Sequence, residues 1–288
     1  MAKTLIAGPW VGEFGWEIMC WQGYLRKLAP KYTEVIVSSR PGHEALYQDF
    51  AETYLPHELE GDRDCWMLHG DGRGKQILEQ SILNMMKKID ADRIVPTGNI
   101  PLDQQQFITY GNAGNVREGD RYDVLFHFRL RHDRGAERNT PGNLASGIRD
   151  RLPPGMKVAC IGSKEESACF PGYADRRGIP LEQLLDLIAS SYIVSGPASA
   201  PCLLASLCKT PHISWSTKRW YSAVKMDNKR RMKQGWNPFG VPCDVLDKWG
   251  FQPPAIEAAA AVKGAIEWAR DYKRRIWKEQ GVSGADAS

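Results

Sequence analysis

A glycine-rich loop near the N-terminus carries two carboxylates at positions suited to proton transfer. The loop spans residues 12–17, with the sequence GEFGWE. Its carboxylates would repel a pyrophosphate, so the loop is better suited to taking a proton from a hydroxyl group. Glu17 is the preferred general base and Glu13 the second candidate. Trp16 would contact the molecule that carries the hydroxyl group and would exclude water. Burial beside Trp16 and Trp21 is expected to raise the pKa of Glu17. Alternatively, both carboxylates only complement a helix dipole.

A second segment lines up three basic side chains on a predicted strand. Residues 122–133 have the sequence YDVLFHFRLRHD, and the two-residue period of a strand puts His127, Arg129 and Arg131 on one face. Arginine binds phosphate through two parallel hydrogen bonds, so these side chains are candidates for a diphosphate clamp. The alternative is a solvated strand end with ion pairs to Asp133 or Glu137.

A third segment, residues 193–215, is typical of a strand, a tight turn, a small-residue helix and a second strand. Gly196 permits the turn, Ser199 or Ala200 begins the helix, and Pro201 lies in its first turn, where a missing N–H costs little. The N-terminus of such a helix binds phosphate well. An ordinary structural βαβ unit explains the same pattern.

Ser163 and Glu166 follow another predicted strand and would reach the same edge of the sheet. A carboxylate there is suited to a ribose, so the two are candidate nucleoside-binding residues. A local explanation is also sufficient, because Ser163 as N-cap and Glu166 three residues later form a capping box.

The densest positive charge in the chain is interleaved with aromatic residues between positions 218 and 238. Such a mixture suits contact with phosphate or nucleic acid. The alternative is a solvated helix face. The candidate contacts are Lys218, Arg219, Arg230, Arg231 and Trp236.

Alternation of apolar strands with helices along the chain predicts an α/β protein with parallel sheets. The predicted elements include helices around residues 43–54 and at 73–89, and strands at 65–68 and 107–110. The pattern stops at residues 111–120, a Gly- and Asn-rich stretch that favours a linker, and then restarts. We therefore predict an N-terminal Rossmann-like domain at residues 1–115 and a second at 116–254. A closing helix at 255–280 and a disordered tail at 281–288 follow.

Composition restricts the function classes. The 288 residues carry a net charge of only +4, and no apolar run approaches the ~20 residues that cross a bilayer. Seven scattered cysteines and the absence of a secretory signal favour a cytoplasmic protein without stable membrane insertion. No HExxH, Walker or G-x-S-x-G motif is present, and no Cys/His spacing fits a metal, so neither a metal nor a bound cofactor is expected.

These segments together resemble GT-B glycosyltransferases. Residues 196–211, GPASAPCLLASLCKTP, are similar to the donor-binding segment of the heptosyltransferase-like group. The pair His127-x-Arg129 is similar to the His-x-Arg-Arg-x-Asp segment of GT-B fucosyltransferases, with Leu130 at the second arginine position and Arg131 one residue further on. The heptosyltransferase-like group has an aspartate directly after the loop glycine, where this chain has Trp16 followed by Glu17.

The resemblance implies two Rossmann-like domains facing across a cleft, with a C-terminal helix crossing back. It implies metal-independent, inverting transfer of a sugar from a nucleoside-diphosphate sugar, with a UDP-sugar favoured, to an acceptor hydroxyl. The acceptor would be a glycan or, as in small phage-type enzymes, a hydroxymethylated pyrimidine in DNA. The competing hypothesis is a non-catalytic nucleotide- or carbohydrate-binding module of the same fold.

Overall fold

A computed structural model describes residues 3–58, 91–94, 100–132, 136–218 and 227–282. The chain divides into two compact units, Met1–Phe107 and Ile108–Ser288. Each contains a parallel sheet with helices, so the predicted α/β class is confirmed. The predicted strand at residues 65–68 and the predicted helix at 73–89 lie outside the described residues.

The first unit is built on a four-stranded parallel sheet of order β3-β2-β1-β4. The central strands bury nearly every side chain, as expected when a parallel sheet is covered on both faces. Its elements are β1 (Thr4–Ala7), α1 (Phe14–Trp16), a π-helical turn (Glu17–Trp21), α2 (Gln22–Leu28), β2 (Glu34–Ser39), β3 (Thr53–Pro56) and β4 (Asp92–Ile94), with 3₁₀ turns at Ala29–Lys31, Glu44–Leu46 and Leu102–Gln104.

Gly8 directs the chain from β1 into the loop that leads to Glu17. Its φ is +111°, and a Cβ at this position would lie 2.3 Å from the carbonyl oxygen of Ser38. The next turn is held by the amide of Trp10, which donates to the same Ser38 oxygen at 2.9 Å. The close approach of these two segments of the chain therefore requires glycine at position 8.

The second unit is built on a six-stranded parallel sheet of order β12-β11-β10-β5-β7-β9, and β6 and β8 form a separate antiparallel pair. Its strands are β5 (Val124–Phe126), β6 (Phe128–Arg129), β7 (Val158–Cys160), β8 (Ser167–Ala168), β9 (Ala174–Asp175), β10 (Ile193–Pro197), β11 (His212–Trp215) and β12 (Cys243–Leu246). Its helices are α3 (Gly142–Arg149), α4 (Leu181–Ala189), α5 (Ala200–Leu207), α6 (Asn228–Arg230) and α7 (Ala255–Glu279), with a π-helical turn at Arg231–Gly235 and 3₁₀ turns at Ala113–Asn115, Glu118–Asp120 and Ala136–Arg138.

Helix α7 closes the core of this unit. Its buried stripe, which includes Ala258 and Val262, belongs to one apolar cluster with α3 and the sheet residues Phe126 and Ile193. Near its C-terminal end, the indole of Trp277 donates a 2.9 Å hydrogen bond to the Ala189 carbonyl. The bounds agree closely with the predicted closing helix at 255–280, although its crossing back to the first domain stays a prediction.

The division between units falls earlier in the chain than the predicted boundary after residue 115. Residues just beyond Phe107 are already tied to the second unit, because the amide of Tyr110 donates to Leu207 O at 3.0 Å. The amide of Asn112 donates to the Asp186 carboxylate at 2.7 Å. Polar, glycine-rich composition predicted a linker, but this stretch is fixed by hydrogen bonds that composition does not reveal.

Two local predictions are wrong. The helix predicted around residues 43–54 is only the turn Glu44–Leu46 followed by β3, and residues 107–110 form no strand. The tail predicted to be disordered from Gly281 is ordered at its start, because Val282 is buried and its amide donates to Trp277 O at 2.9 Å. Residues 283–288 lie outside the described part of the chain.

In the part of the chain that the structure describes, no helix combines the length and apolarity needed to span a membrane.

The turn at Gly8 gives a stability prediction. Gly8→Ala should lower the free energy of unfolding by about 3 kcal/mol or more, because it adds a backbone clash to a left-handed φ. The matched control is Gly42→Ala, where φ is +84° but no atom lies within 4 Å of the added Cβ. That control should cost only about 1–2 kcal/mol. Urea melts measure both, and equal losses would contradict the close approach to Ser38.

Candidate functional site

The predicted proton-transfer loop opens a distorted helix in the first unit. Residues Phe14–Trp16 form one α-helical turn, and Glu17 begins the π-helical turn that continues to Trp21. Single π-turns inside helices occur frequently at functional sites. Glu13 and Trp16 are half-buried, whereas the Glu17 side chain is fully buried.

The carboxylate of Glu17 is enclosed by donors from two other elements. Its Oε1 accepts hydrogen bonds from Ser39 Oγ and from the Tyr47 hydroxyl, the latter at 2.6 Å. Its Oε2 lies 2.7 Å from Nδ1 of His43. Burial alone raises the pKa of Glu17, but the charge of His43 and these hydrogen bonds outweigh it and hold the pKa below its usual value. Burial therefore acts on Glu17 in the expected direction, but the expected net rise of its pKa is wrong.

His43 is the residue of this site that sequence reasoning missed. Its imidazole is 19% exposed and packs against the ring of Phe14, with 4.5 Å between ring centroids. Burial lowers the pKa of His43, but the adjacent Glu17 carboxylate outweighs it and raises the pKa above its ordinary value. A usable indication was present in the sequence, because His43 follows the strand next to β1 and parallel strands end at a common edge.

In the second unit, the loops after β10, β5 and β7 are adjacent because these strands are neighbours in the sheet. Two glycines allow them to come close. A Cβ on Gly196 would lie 2.6 Å from the carbonyl oxygen of His127, and one on Gly162 would lie 2.9 Å from its Nδ1. The His127 amide donates to Ser195 O at 2.8 Å. The structure therefore brings together Gly196 and His127, two of the predicted donor-site residues.

His127 itself is buried and uncharged. Its Nδ1 lies 3.2 Å from the carbonyl oxygen of Ile161, and burial lowers its pKa to about 4. It can therefore contribute packing or a neutral hydrogen bond at pH 7, but no positive charge. Its strand neighbours Phe126 and Phe128 stack at 5.3 Å on the opposite, apolar side, as the two-residue period predicts.

The two arginines of the predicted clamp are both buried at the antiparallel pair beyond β5. Arg129 is opposite Ser167 in the β6–β8 pair, and its carbonyl accepts from the Thr140 amide at 2.8 Å. The backbone of Arg131 is bracketed by the Asn139 side chain, with hydrogen bonds of 2.9 and 2.6 Å. Each side chain is about 5% exposed, so two cations are held at low exposure within three residues of chain.

Arg131 has an acidic partner that the sequence did not indicate. Its Nε lies 3.5 Å from the Glu166 carboxylate, whereas Glu137 pairs with the adjacent Arg138. Asp133, the other expected partner, lies outside the described residues.

Ser163 and Glu166 form a turn, not the start of a helix. The Ser163 hydroxyl accepts from the Glu166 amide at 3.1 Å, which is half of a capping box, but residues 164–166 are a turn that leads into β8. The predicted helix cap is therefore wrong. The second hydrogen bond of a capping box, from the Ser163 amide to the Glu166 carboxylate, is missing because that carboxylate pairs with Arg131.

The strand, helix and strand predicted at residues 193–215 are present as β10, α5 and β11. Ser199 is the N-cap of α5, but its hydroxyl donates to Pro197 O at 2.9 Å and makes no capping bond. Ser199 and Ala200 are half-buried, while the rest of α5 down to Leu207 is buried. Only the start of α5, at Ser199 and Ala200, is thus partly exposed.

The basic segment has mostly local partners where the structure describes it. The guanidinium of Arg231 lies 3.5 Å from the ring centroid of Trp236, and Arg230 donates to Gln234 at 3.1 Å. Lys218 and Arg230 are exposed. Arg219 lies outside the described residues.

The described ranges contain no group of three or more His, Cys, Asp or Glu side chains that could hold a metal ion.

Comparison with solved structures identifies the fold. A family 9 glycosyl transferase from Veillonella parvula superposes with a TM-score of 0.55 at 11% identity, over 93% of this chain and 97% of its own. The E. coli ADP-heptose lipopolysaccharide heptosyltransferase II gives 0.55 at 12% identity, over 95% and 99%. This chain has the GT-B fold. The iron-containing heptosyltransferase TibC, in complex with ADP-D-β-D-heptose, gives 0.53 at 12% identity, over 94% and 77%.

No protein-family model matches the sequence, and neither does any curated protein. The GT-B likeness therefore rests on three-dimensional structure at 11–12% identity, which establishes the fold and confirms that part of the sequence interpretation.

The neutral state of His127 gives a pH prediction. In the folded chain His127 takes up a proton only near pH 4, against about 6.5 when unfolded. Between these values the unfolded chain binds more protons, so stability falls as the pH is lowered through this window. At pH 5 the loss from this one group is about 2 kcal/mol.

His127→Gln should remove that part of the pH dependence. Urea melts at pH 7 and pH 5 give the loss for each protein, and the variant should lose about 2 kcal/mol less than the wild type. His212, also buried with a pKa of about 4, retains its own contribution in both proteins. An identical pH dependence in wild type and variant would show that His127 does not stay neutral.

Proposed function

We propose that this protein is a glycosyltransferase that moves a sugar from a nucleoside-diphosphate sugar to an acceptor hydroxyl. The observation that carries the proposal is the GT-B fold together with what the second unit gathers after β10 and β5. There, a surface-reaching helix start at Ser199 follows Gly196, and the buried cations Arg129 and Arg131 follow His127. The TibC structure contains ADP-heptose, which supports a nucleotide sugar as the donor.

The second unit would bind the diphosphate in this reaction. Backbone amides at Ser199 and Ala200 and the positive end of α5 suit phosphate oxygens. Arg129 and Arg131 supply full charge, and they stabilise the diphosphate as it leaves and becomes more negative. Glu166 orients Arg131, and with Ser163 it is also the candidate contact for the nucleoside.

The first unit would accept the proton of the attacking hydroxyl. Of the two loop carboxylates, Glu13 is half-buried and able to meet a substrate, whereas Glu17 is enclosed by its three partners. Direct attack on the anomeric carbon then inverts its configuration. An enclosed carboxylate of lowered pKa is also what a non-catalytic binding module would contain, so binding without turnover is the second candidate function.

The acceptor is a glycan hydroxyl or a hydroxymethylated pyrimidine in DNA. DNA is supported by the exposed cations Lys218 and Arg230, which could follow a phosphate backbone together with Arg219. Trp236 is weaker support for a DNA acceptor, because Arg231 covers the ring that would stack on a base. Trp16, half-buried in the first loop, is the candidate contact for either acceptor.

Donor binding is tested by thermal shift with UDP-, ADP-, GDP- and CMP-sugars, since a ligand that binds the folded state raises its stability. Arg129→Ala should lower the affinity for the nucleotide sugar that gives the largest thermal shift by about tenfold or more, because a charge-assisted phosphate contact is lost. Arg129→Lys, which keeps the charge but not the two-pronged geometry, should have an intermediate effect.

The matched control for this measurement is Arg151→Ala, since Arg151 is exposed and donates to Gly147 within α3. It should bind as the wild type does. Sugar transfer should also persist in EDTA, and strong inhibition would replace the metal-independent mechanism with one that uses a metal. If no nucleotide sugar shifts the wild-type melting temperature, the proposed function is wrong. Binding without any release of nucleoside diphosphate would favour the binding module.

A DNA acceptor predicts salt-sensitive binding. The affinity for a duplex carrying hydroxymethylated pyrimidines should fall about tenfold or more between about 50 and 200 mM salt, because each phosphate contact releases counterions. A double variant, Lys218→Gln with Arg230→Gln, should reduce the slope of log K against log salt by about 0.9 per contact removed. Lys263→Gln, an exposed lysine on α7, is the control. Weak binding that is insensitive to salt would favour the glycan.

A further inference from the structure

The imidazole of His43 lies in the loop after β2, between the buried carboxylate of Glu17 and the ring of Phe14. We infer that His43 is the catalytic base of the transfer reaction and that Glu17 is its positioning residue. The inference rests on the proposed function and specifies which group of the first unit takes the proton.

Glu17 is placed to orient an imidazole and not to touch a substrate. Its side chain has no exposed surface, and both of its oxygens are engaged. Oε1 accepts from Ser39 at the end of β2 and from Tyr47 after the 3₁₀ turn, while Oε2 faces His43 at 2.7 Å. Because the donors come from separate parts of the chain, the direction of the carboxylate is fixed before any substrate arrives.

The geometry determines the tautomer of His43. An ionised carboxylate only accepts hydrogen bonds, so the proton of a neutral His43 must be on Nδ1. The second ring nitrogen, Nε2, then carries the lone pair, and no described residue makes a hydrogen bond to it. The ring orientation is fixed by Phe14, which precedes Glu17 by three residues and so shares its helix face. A carboxylate that orients the histidine base of an acyl-transfer triad works in the same way.

The chemical step balances without any further reactant. As the acceptor oxygen forms its bond to the anomeric carbon, its proton moves to Nε2 of His43. The bond between the anomeric carbon and the diphosphate oxygen breaks, and its electron pair leaves with the nucleoside diphosphate. The imidazolium that forms faces the charge of Glu17, and it later loses its proton to solvent.

Several other charged or titratable groups face this histidine. Arg40 opposes protonation and Glu44 favours it, both more weakly than Glu17 does. Burial lowers the pKa of His57, and the charge of His43 lowers it further. Burial raises the pKa of Tyr54, and the charges of Glu17 and Glu44 raise it further. Tyr47 reaches only the far oxygen of Glu17. Glu17 is thus the group whose removal should change the basicity of His43 most.

The competing explanation is that His43 only neutralises a buried charge while Glu13 takes the proton. His43→Asn separates the two, because its amide can still donate to Glu17 from the position of Nδ1 but has no basic nitrogen. Glu13→Gln removes the competing base. Glu44→Gln is the matched control, since it removes an exposed carboxylate next to His43 in the chain, whose charge affects His43 less than that of Glu17 does.

The experiment measures release of nucleoside diphosphate from the nucleotide sugar that best stabilises the wild type, between about pH 5 and 9. His43→Asn should lower kcat by about 10²–10⁴-fold, while KM for the nucleotide sugar and the ligand-induced thermal shift stay unchanged. His43→Gln repeats the test if the asparagine variant does not fold. Glu17→Gln should move the acid limb of the kcat profile to lower pH and reduce kcat, because it removes the charge that makes His43 more basic. Glu44→Gln should move the limb far less.

NMR titration of the His43 ring should show the same order of effects, with the pKa lowered most by Glu17→Gln. The inference is overturned if His43→Asn turns over normally while Glu13→Gln does not, or if Glu17→Gln leaves both the acid limb and the His43 pKa unchanged. Failure of the proposed function is recognised separately, because the wild type itself would then neither bind nor turn over any nucleotide sugar.

Discussion

A carboxylate without solvent contact is stable as an ion only when donors satisfy it, and Glu17 imposes this requirement on the first unit. The cost of removing such a charge from water is several kcal/mol before its partners are counted. The partners come from the end of β2 and the turn after it, namely Ser39, His43 and Tyr47. The end of β2, the turn at Glu44–Leu46 and the π-helical turn are therefore held in one arrangement by a single charge.

The second unit meets a related requirement with cations. Arg129 is buried on the two-residue strand β6, which leaves the main sheet after His127, and Arg131 is buried just beyond that strand. The departure is possible because Gly196 and Gly162 leave room for His127, whose ring and backbone occupy the space that side chains would fill. His127 stays uncharged in that space. The neutral histidine thus occupies the position where a third cation would add repulsion, and the positive charge is left to the two arginines.

Periodicity and turn chemistry were sufficient to predict the α/β class, the segment β10–α5–β11 and the closing helix, since each depends on patterns local to the chain. Glu17 is a predicted general base, and that role stays a prediction. The direction of its pKa was predicted wrongly, because burial follows from neighbouring tryptophans whereas its donors lie more than 20 residues away. His43 was missed for the same reason. Its importance depends on the pairing of β1 with β2, because its partner Glu17 lies 26 residues earlier in the chain. The division of the chain after Phe107 cannot be read from composition, because hydrogen bonds to side chains, such as that from the Asn112 amide to Asp186, have no local pattern.

The pair Glu17–His43 also bears on why this chain differs from the heptosyltransferase-like pattern at its first loop. An aspartate directly after the loop glycine would be placed at the position of Trp16, which is half-buried. A glutamate one residue later begins a π-helical turn and points into the unit, where no substrate can meet it. With the carboxylate withdrawn, its charge reaches the surface only through a group that contacts it, and His43 at 2.7 Å is the one such contact that retains an exposed ring among the described residues. In the proposed reaction, the shift by one residue is compatible with proton transfer because the imidazole replaces the carboxylate at the point of contact.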